Sequence, residues 1–391
     1  MGRTVTLVLV DAAGDVLGAL PPFDVALPWW QEIADVVEEA RVRHGVTVTV
    51  LRLLAAGAAG PPGGPVTYLA QVGEPVRVPL RPYDAGTGQS PRRAPWAVPG
   101  GPAASLRWAL GRLGRDDVVA AQQRTWNLSS IWRLDAGGVP VAWLKQVPAF
   151  FAHEAPLLRL VAQAAPGLVP AVLAAGDPGR VLLAHVPGED RYGADAAFCA
   201  EVARDFHPVQ VHFASRVCDL LAAGVPDRRL DQDRLARVAA PWRDAVEGLD
   251  ELMEELPARL AAIDACGLPD TLVHGDLHPG NVRESAAGRR VILDWGDAAV
   301  ANPAYDILRL TEELPEREAT ALIGEWAGWW RQVVPDCDPE TAAALTRPVA
   351  ALRAAAVYQD FLDQIEESER PYHEADVPER LTAAVAAACL T

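Results

Sequence analysis

The sequence predicts an α+β chain of more than one domain, because its first half mixes strand-like and helical patterns and its second half is largely helical. A length of 391 residues with 50% apolar residues allows a core in each of two or three domains. Residues 83–102 are rich in Pro, Gly and Arg and are typical of a linker. We therefore expect a small α/β domain followed by a larger α+β region.

The first segment, residues 1–97, has the pattern strand, turn, strand, helix, strand, strand. Alternating apolar residues predict a strand over Val5–Val10. Helical spacing predicts a helix over Trp29–His44 that stops at Gly45. Apolar and β-branched residues predict strands over Val46–Leu54 and Val66–Val72.

This layout resembles a Nudix fold. A Nudix motif needs two adjacent glutamates, two and three residues before a glycine, as metal ligands. Before Gly45 these positions hold Val42 and Arg43. The resemblance therefore implies a degenerate domain with a structural or regulatory role, and the two substitutions disfavour pyrophosphohydrolase activity.

The second block begins after the linker. Residues 98–114 combine the end of the linker with a helix, and residues 187–391 are mainly helical apart from two strand-like stretches within 271–297. Between them, residues 115–186 predict the order β-β-α-β-β. The strands are Ser129–Leu134, Val139–Gln146, Ala171–Ala175 and Arg180–His185, and the helix is His153–Ala164.

Composition restricts the function classes. The net charge of −17 disfavours nucleic acid and anionic membranes as partners, and would suit a cationic substrate. No apolar run is long enough to span a bilayer. Five scattered cysteines without a CxxC pair fit a reducing compartment, so we expect a cytoplasmic protein. The sequence does not indicate an oligomeric state.

Three oxygen-bearing side chains surround a predicted hairpin. Asp276 and Asn281 are five residues apart, and Asp294 follows thirteen residues later at the end of an apolar strand. A turn over residues 285–288 would join two strands and bring Asn281 beside Asp294. Mg²⁺ prefers oxygen ligands, and a further carboxylate can orient an attacking hydroxyl and accept its proton. The spacing therefore predicts a phosphoryl-transfer site with Mg²⁺.

The same segment resembles the catalytic signature of kinases. Residues 274–281 read His-Gly-Asp-Leu-His-Pro-Gly-Asn, and residues 293–297 read Leu-Asp-Trp-Gly-Asp. These motifs are similar to those of the aminoglycoside phosphotransferase and choline kinase family. The resemblance covers about residues 105–391. It implies a bilobal protein-kinase-like fold, with a small antiparallel β lobe and a large helical lobe.

Carried over by position, the resemblance assigns a role to each residue of the motif. Asp276 is the expected catalytic carboxylate, and Asn281 and Asp294 are the expected Mg²⁺ ligands. Asp306, in the stretch Asn-Pro-Ala-Tyr-Asp, corresponds to a later structural aspartate that steadies the active-site loop. His274 is expected to brace this loop through hydrogen bonds.

Lys145 is the single lysine among 35 basic residues. Lysine is a compact point charge that the planar guanidinium of arginine does not reproduce everywhere, so its retention at one position suggests a function. The resemblance makes Lys145 the residue that holds the α- and β-phosphates of ATP, with Glu154 at the start of the next helix as its ion-pair partner.

Other nucleotide contacts follow from the resemblance. Residues 180–185 correspond to the strand that leads to the base-binding hinge, which makes His185 and Val186 candidate contacts to the base. A Gly-rich phosphate loop is missing, and Ser129 and Ser130 stand in its place as candidate phosphate contacts. ATP and GTP both remain open as the co-substrate.

The sequence also leaves alternatives. His274, Asp276 and His278 form an H-x-D-x-H pattern that a metallohydrolase could use. Trp326, Trp329 and Trp330 fit either a core or a substrate-stacking surface. An acidic stretch that follows Tyr358, with Asp360, Asp363, Glu366 and Glu367, fits either a solvated helix face or an amine-binding pocket.

The expected function is phosphorylation of a hydroxyl on a small molecule such as an aminoglycoside, an amino sugar or a choline-like alcohol. A protein kinase is disfavoured by Gly275 in the catalytic loop and by the lack of an Ala-Pro-Glu motif. The alternative from another class is an inactive, kinase-like binding or regulatory protein.

Overall fold

In a computed structural model of the protein, which describes residues 2–57, 60, 62–84, 88, 90–229 and 232–389, the chain divides into two compact units. The first unit comprises Met1–Phe150, Val172–His185 and Asp360–Ala375, and the second comprises Phe151–Ala171, Val186–Gln359 and Asp376–Thr391. A late segment of the sequence thus belongs to the same unit as the first 150 residues. The finer division at residues 97, 114 and 186 stays a prediction.

The first unit contains a five-stranded sheet and helix α1 (Ala34–His44). The central strand β1 is parallel to β5, which pairs in turn with β4, and antiparallel to β2 and β3. Helix α1 ends at Gly45, whose φ of 65° is readily adopted by glycine, so the predicted stop is confirmed. The strands of this sheet are β1 (Arg3–Val10), β2 (Val16–Ala19), β3 (Phe23–Val25), β4 (Val48–Ala56) and β5 (Gly64–Val72).

A second sheet of the first unit is antiparallel throughout and has the order β6-β7-β8-β10-β9. Helix α2 (Gly101–Leu113) packs on one face of it, where Trp132, Leu134 and Leu144 form a core. The predicted strand over Val139–Gln146 is confirmed with the same bounds. The strands are β6 (Val118–Thr125), β7 (Ser130–Ala136), β8 (Val139–Gln146), β9 (Val172–Gly176) and β10 (Arg180–Ala184).

Strand β6 was not predicted, because its sequence has four apolar residues followed by four polar ones and does not alternate in the way of a half-buried strand. Its polar groups are satisfied by the neighbouring sheet, since the Gln122 side chain bonds both the N–H and the C=O of Val50. The edge of β6 also bonds residues 31–33, through Thr125 N to Gln31 O and Ile33 N to Gln123 O. These contacts explain why α1 begins at Ala34 and not at the predicted Trp29.

The second unit is mainly helical, as predicted. Its helices are α3 (Glu154–Ala164), α4 (Ala196–Ala214), α5 (Val217–Ala222), α6 (Gln232–Ala239), α7 (Leu249–Ala265), α8 (Ala304–Thr311), α9 (Glu316–Val333), most of α10 (Pro339–Gln364), and α11 (Asp376–Ala388). Short strands form two small sheets, β11-β13-β14 and β12-β15. They are β11 (Glu189–Asp190), β12 (Thr271–Val273), β13 (Val282–Glu284), β14 (Arg290–Ile292) and β15 (Ala299–Ala301).

Two of the three clustered tryptophans belong to the core. Trp326 and Trp330 on α9 are buried, and Trp330 packs edge-on against His207 of α4. Trp329 lies at the edge of this cluster, beside Arg204. Within the described part of the chain, none of the helices is both long enough and apolar enough to cross a membrane.

Candidate active site

The predicted hairpin forms, and it brings Asn281 next to the strand that precedes Asp294. Strands β13 and β14 are antiparallel, with Val282 opposite Ile292 and a turn at residues 285–288. One residue beyond the last pair, Leu293 N donates to Asn281 O at 2.8 Å. The local turn therefore fixes the relative position of Asn281 and Asp294, as the spacing implied.

Asp276 lies in the loop between β12 and β13, and its carboxylate is held on both oxygens. Arg309 Nε donates to Oδ1 at 2.8 Å, and Asn281 Nδ2 donates to Oδ2 at 3.1 Å. His278 Nε2 lies 3.5 Å from the same Oδ2. The side chain is still 37% exposed, so a hydroxyl group can approach it.

These contacts decide the ionisation of Asp276. Burial would raise the pKa of its carboxyl, but the contact with His278 and the charge of Arg309 outweigh burial and hold the pKa well below its usual range. The carboxylate is therefore ionised at neutral pH. It is a weak base that can orient a hydroxyl group and take up its proton late in a phosphoryl transfer.

His274 connects the two halves of the site. Its Nδ1 accepts from Asp276 N at 3.3 Å, which leaves the proton on Nε2, and Nε2 lies 2.9 Å from Leu293 O. The ring is fully buried, and burial lowers the pKa of His274, so it is neutral. A neutral imidazole thus ties the loop of Asp276 to the residue before Asp294.

Asp306 anchors the same loop from α8. Its carboxylate accepts from His274 N at 2.9 Å, from Gly275 N at 3.0 Å and from Gln210 Nε2 at 3.0 Å. Burial raises the pKa of Asp306 to about 6, against the opposing effect of the bonds from the two backbone amides. This is the geometry of a loop-steadying aspartate.

Gly275 allows the loop of Asp276 to lie close to the loop that carries Asp294 and Asp297. Its φ is 87°, and a Cβ at this position would overlap the carbonyl oxygen of Asp297. Any side chain here would therefore push the loop of Asp276 away from the loop that carries Asp294 and Asp297.

Asp294 has the one left-handed backbone among the described residues other than glycine, with φ 58° and ψ 68°. Such a conformation in a non-glycine residue is uncommon and is concentrated at functional sites. Asp294 is exposed. Asn281 uses its Nδ2 for Asp276, which leaves its carbonyl oxygen Oδ1 as a ligand. The donor set of one carboxylate and one amide oxygen fits Mg²⁺, whose other ligands are usually phosphate oxygens and water.

Glu154 also lies at this site. It is the first residue of α3, is buried, and accepts from Trp295 N at 3.3 Å through Oε1. Glu154 therefore holds the backbone immediately after Asp294. Its predicted ion pair with Lys145 stays a prediction.

Lys145 lies near the end of β8 in the first unit and is 9% exposed. It is opposite Ile131 and Val181, whereas Ser130 is opposite Gln146. Because side chains alternate along a strand, Lys145 and Ser130 lie on opposite faces of the sheet. Ser130 Oγ accepts from Trp132 Nε1 on the face that packs against α2. Of the two predicted serines, Ser129 is thus the one that remains a candidate phosphate contact.

The predicted hinge residues adjoin a partly exposed apolar surface. His185 stacks on Trp143, and Trp143 Nε1 donates to His185 Nδ1 at 3.1 Å. The backbone N–H of His185 is already used by Val141 O. Val186 is half-buried and begins the next part of the second unit. Trp143 and Val141 lie on the same face as Lys145, which is a suitable surface for a planar base.

The contacts that Arg309 and His278 make with Asp276 were not predicted from the sequence. Arg309 contacts Asp276 but lies 33 residues away, one helical turn after Asp306 on α8. His278 was considered as a metal ligand, but its Nδ1 accepts from Gly280 N at 3.1 Å and its Nε2 faces Asp276. Both side chains also line a cavity of about 70 Å³ together with Leu310, Glu313 and Leu314.

The metallohydrolase alternative is not supported. The ring nitrogens of His274 and His278 already contact Asp276, Gly280 and the carbonyl oxygen of Leu293. Among the residues that the structure describes, no group of three or more His, Cys, Asp and Glu side chains is placed to hold a metal ion.

Comparisons with known structures agree on the fold. Choline kinase LicA from Streptococcus pneumoniae is 11% identical, with a TM-score of 0.53 over 73% of this chain and 99% of that chain. A GDP and kanamycin complex of APH(2")-IIia is 15% identical, with a TM-score of 0.51 over 74% and 99%. A putative aminoglycoside phosphotransferase from Ralstonia eutropha is 16% identical, with a TM-score of 0.50 over 74% and 98%. The predicted α+β, kinase-like fold is confirmed.

A search of curated protein sequences found no match. The sequence profile of the phosphotransferase enzyme family matches residues 140–345, which is more than half of the chain. The matched range contains Lys145, Asp276, Asn281, Asp294 and Asp306. The chain therefore belongs to the phosphotransferase enzyme family.

Proposed function

We propose that the protein transfers the γ-phosphoryl group of ATP or GTP to a hydroxyl group of a small molecule. The observation that carries this proposal is the state of Asp276, an ionised carboxylate that Asn281 and Arg309 hold in place and that is still 37% exposed. Phosphoryl transfer needs little covalent help from the protein, so a fixed carboxylate beside a cation site supplies most of the required chemistry.

Each residue has a separate task in this mechanism. Asp276 orients the acceptor hydroxyl and takes its proton, and Arg309 keeps the carboxylate in its orientation. Asn281 and Asp294 would hold Mg²⁺, which when bound neutralises charge on the phosphates. Lys145 would bind the α- and β-phosphates as a point charge. Glu154 fixes the backbone next to Asp294.

The charge of the chain, the cavity beside Asp276 and the similar structures support a class of acceptor. An aminoglycoside, an amino sugar or a choline-like alcohol would carry a hydroxyl group and a positive charge. The net charge of −17 and Glu313 in the 70 Å³ cavity are compatible with such a cation. The similar structures include a choline kinase and a complex with kanamycin and GDP, which supports the acceptor class and a nucleotide co-substrate.

We propose a structural role for residues 1–97 as a degenerate Nudix-like domain. At the positions where the Nudix motif needs glutamates, Val42 is exposed and Arg43 is bound to Glu39. These side chains offer no ligand to a metal ion. The cytoplasmic location expected from the cysteine pattern suits an enzyme that uses ATP.

A screen of Mg²⁺-dependent nucleoside diphosphate release tests the function. Aminoglycosides, amino sugars, choline and other hydroxylated metabolites are offered in turn with ATP and with GTP. Release that depends on one acceptor, with a phosphorylated product in the mass spectrum, is the expected result. Nucleotide binding without turnover on any acceptor would favour the alternative of an inactive, kinase-like binding protein.

The variant Asp276→Asn tests the mechanism. It removes the negative charge and the proton acceptor, so we expect turnover to fall by roughly 10²- to 10⁴-fold with nearly unchanged nucleotide affinity. The exposed Asp233 gives a matched control, because Asp233→Asn makes the same chemical change away from the site. Turnover of Asp276→Asn at the level of Asp233→Asn would refute the role of this carboxylate.

A further inference from the structure

The late segment of the first unit lies against the loop that stands in place of a Gly-rich phosphate loop. We name residues 366–373 the C-terminal strap and residues 126–130 the serine loop. The strap contains a 3₁₀ segment, Glu367–Tyr372. The strap and the serine loop belong to the first unit, although about 240 residues separate them in sequence. Their contacts are therefore a product of the tertiary fold.

Buried hydrogen bonds join the strap to Asn127. Asn127 N donates to Glu369 Oε2 at 2.7 Å, and Glu366 N donates to Asn127 Oδ1 at 3.0 Å. Asn127 is 6% exposed and Glu369 is 5% exposed. Buried polar groups that lose a partner are costly, so these bonds fix both the backbone and the side chain of Asn127.

Aromatic contacts continue from the strap to the serine hydroxyl. The ring of Trp126 packs edge-on against Tyr372, with centroids 5.5 Å apart, and lies 5.7 Å from His373. Trp126 Nε1 then donates to Ser129 Oγ at 2.9 Å. Because the hydroxyl oxygen accepts the indole N–H, its own O–H remains a donor. A phosphate oxygen is a suitable acceptor for it.

The first 97 residues contact both the serine loop and the strap. Trp96 Nε1 donates to Trp126 O at 2.9 Å. Ser368 Oγ donates to Leu53 O at 2.9 Å, and Arg93 pairs with Glu366 at 2.8 Å. The strap is thus held by Leu53 of the N-terminal sheet and by Arg93 of the linker, in addition to its contacts with Asn127.

We propose that the C-terminal strap is a positioning element for the nucleotide phosphates, and that Glu369 and Asn127 hold the serine loop so that Ser129 donates to a phosphate oxygen. This inference rests on the proposed function. A Gly-rich loop must be ordered when the nucleotide binds, whereas a braced loop is ordered beforehand and loses less entropy on binding. The strap replaces glycine flexibility with fixed hydrogen bonds.

The test compares a nucleotide with its nucleoside. The dissociation constants of MgATP and of adenosine are measured by calorimetry on the full chain, or those of MgGTP and guanosine if the wild type prefers GTP. Glu369→Leu removes the acceptor for Asn127 N at similar volume. Loss of one hydrogen bond to a charged phosphate should weaken MgATP binding roughly tenfold or more, with adenosine affinity unchanged.

Two further variants make the result specific. Glu369→Gln keeps an oxygen acceptor for Asn127 N and should bind MgATP as the wild type does. Glu367 is exposed in the same 3₁₀ segment, so Glu367→Leu is the matched control and should leave both affinities unchanged. Asn127→Ala removes the acceptor for Glu366 N and gives an independent arm if Glu369→Leu does not fold.

The outcomes separate this inference from the proposed function. A wild type that binds neither MgATP nor MgGTP contradicts the proposed function, and this inference with it. A wild type that binds MgATP, with Glu369→Leu or Asn127→Ala binding it equally well, contradicts the role of the strap alone. Equal losses for MgATP and adenosine would also overturn the inference, since they indicate a general disturbance and not a phosphate contact.

Discussion

Asp306 provides the most direct test of how the catalytic loop is held. The variant Asp306→Ala removes one buried carboxylate that accepts three hydrogen bonds, from His274 N, Gly275 N and Gln210 Nε2. Water does not reach these three donors to replace the lost carboxylate unless the loop moves, because Asp306 is 2% exposed. The variant therefore affects both the stability of the second unit and the position of Asp276.

The expected loss in the free energy of unfolding follows from the three donors that lose their acceptor. Each unsatisfied buried donor costs about 1–3 kcal/mol, so together they would cost about 6 kcal/mol at the centre of that range. The variant also removes a buried charge, and the rise in the pKa of Asp306 from 3.8 to about 6 corresponds to an offset of roughly 3 kcal/mol. We expect a net loss of about 3 kcal/mol in the free energy of unfolding.

Urea unfolding followed by tryptophan fluorescence measures this loss, and hydrogen exchange of the His274 and Gly275 amides locates it. Turnover should fall roughly 10- to 100-fold, because the loop of Asp276 loses two of its anchors. Asp306→Asn keeps one oxygen acceptor and should lose less stability and less turnover than Asp306→Ala. Asp336 is exposed, so Asp336→Ala is the control. A free energy of unfolding within about 1 kcal/mol of wild type, with unchanged exchange, would refute the reasoning.

The remaining predictions concern the first unit. Lys145→Arg keeps the charge but puts a planar guanidinium at a position that is 9% exposed. The KM for nucleotide should therefore rise, and turnover should fall roughly tenfold or more. A wild-type rate in steady-state kinetics would show that the lysine is incidental. Burial raises the pKa of Glu369 from 4.5 to about 7, so folding takes up a proton between these values and stability should decline, by roughly 3 kcal/mol, as pH rises from about 4.5 to 7. The free energy of unfolding of Glu369→Gln should not decline over this pH range. A dependence on pH parallel to that of the wild type would contradict the prediction.

Much of the site could be predicted because its residues are close in sequence. Asp276, Asn281 and Asp294 lie within one stretch whose turn, at residues 285–288, is encoded locally. A hairpin of this kind has one favoured register, so spacing alone predicted that Asn281 lies beside the end of the strand before Asp294. The fold of the second sheet was predicted in part, because turn sequences at residues 135–138 and 177–179 separate β7 from β8 and β9 from β10.

The errors have a common physical origin. Strand β6 ends in four polar residues that do not alternate with apolar ones, but its Gln122 bonds the backbone of Val50, 72 residues away. Glu366 was considered part of a solvated face or of an amine-binding pocket, and it is buried against Arg93 and Asn127. In both cases the contacting residues lie far away in the sequence, so the local sequence does not reveal them.

The sequence by itself determined the phosphotransferase-like motif, its hairpin and the lone lysine on a strand, because each depends on local turn chemistry and on side-chain alternation. Only the tertiary structure decided that Arg309 holds Asp276, that Ser130 turns to the face opposite Lys145, and that Glu369 holds Asn127. The physical reason is that the direction of a side chain and its burial depend on elements that pack together from distant parts of the chain.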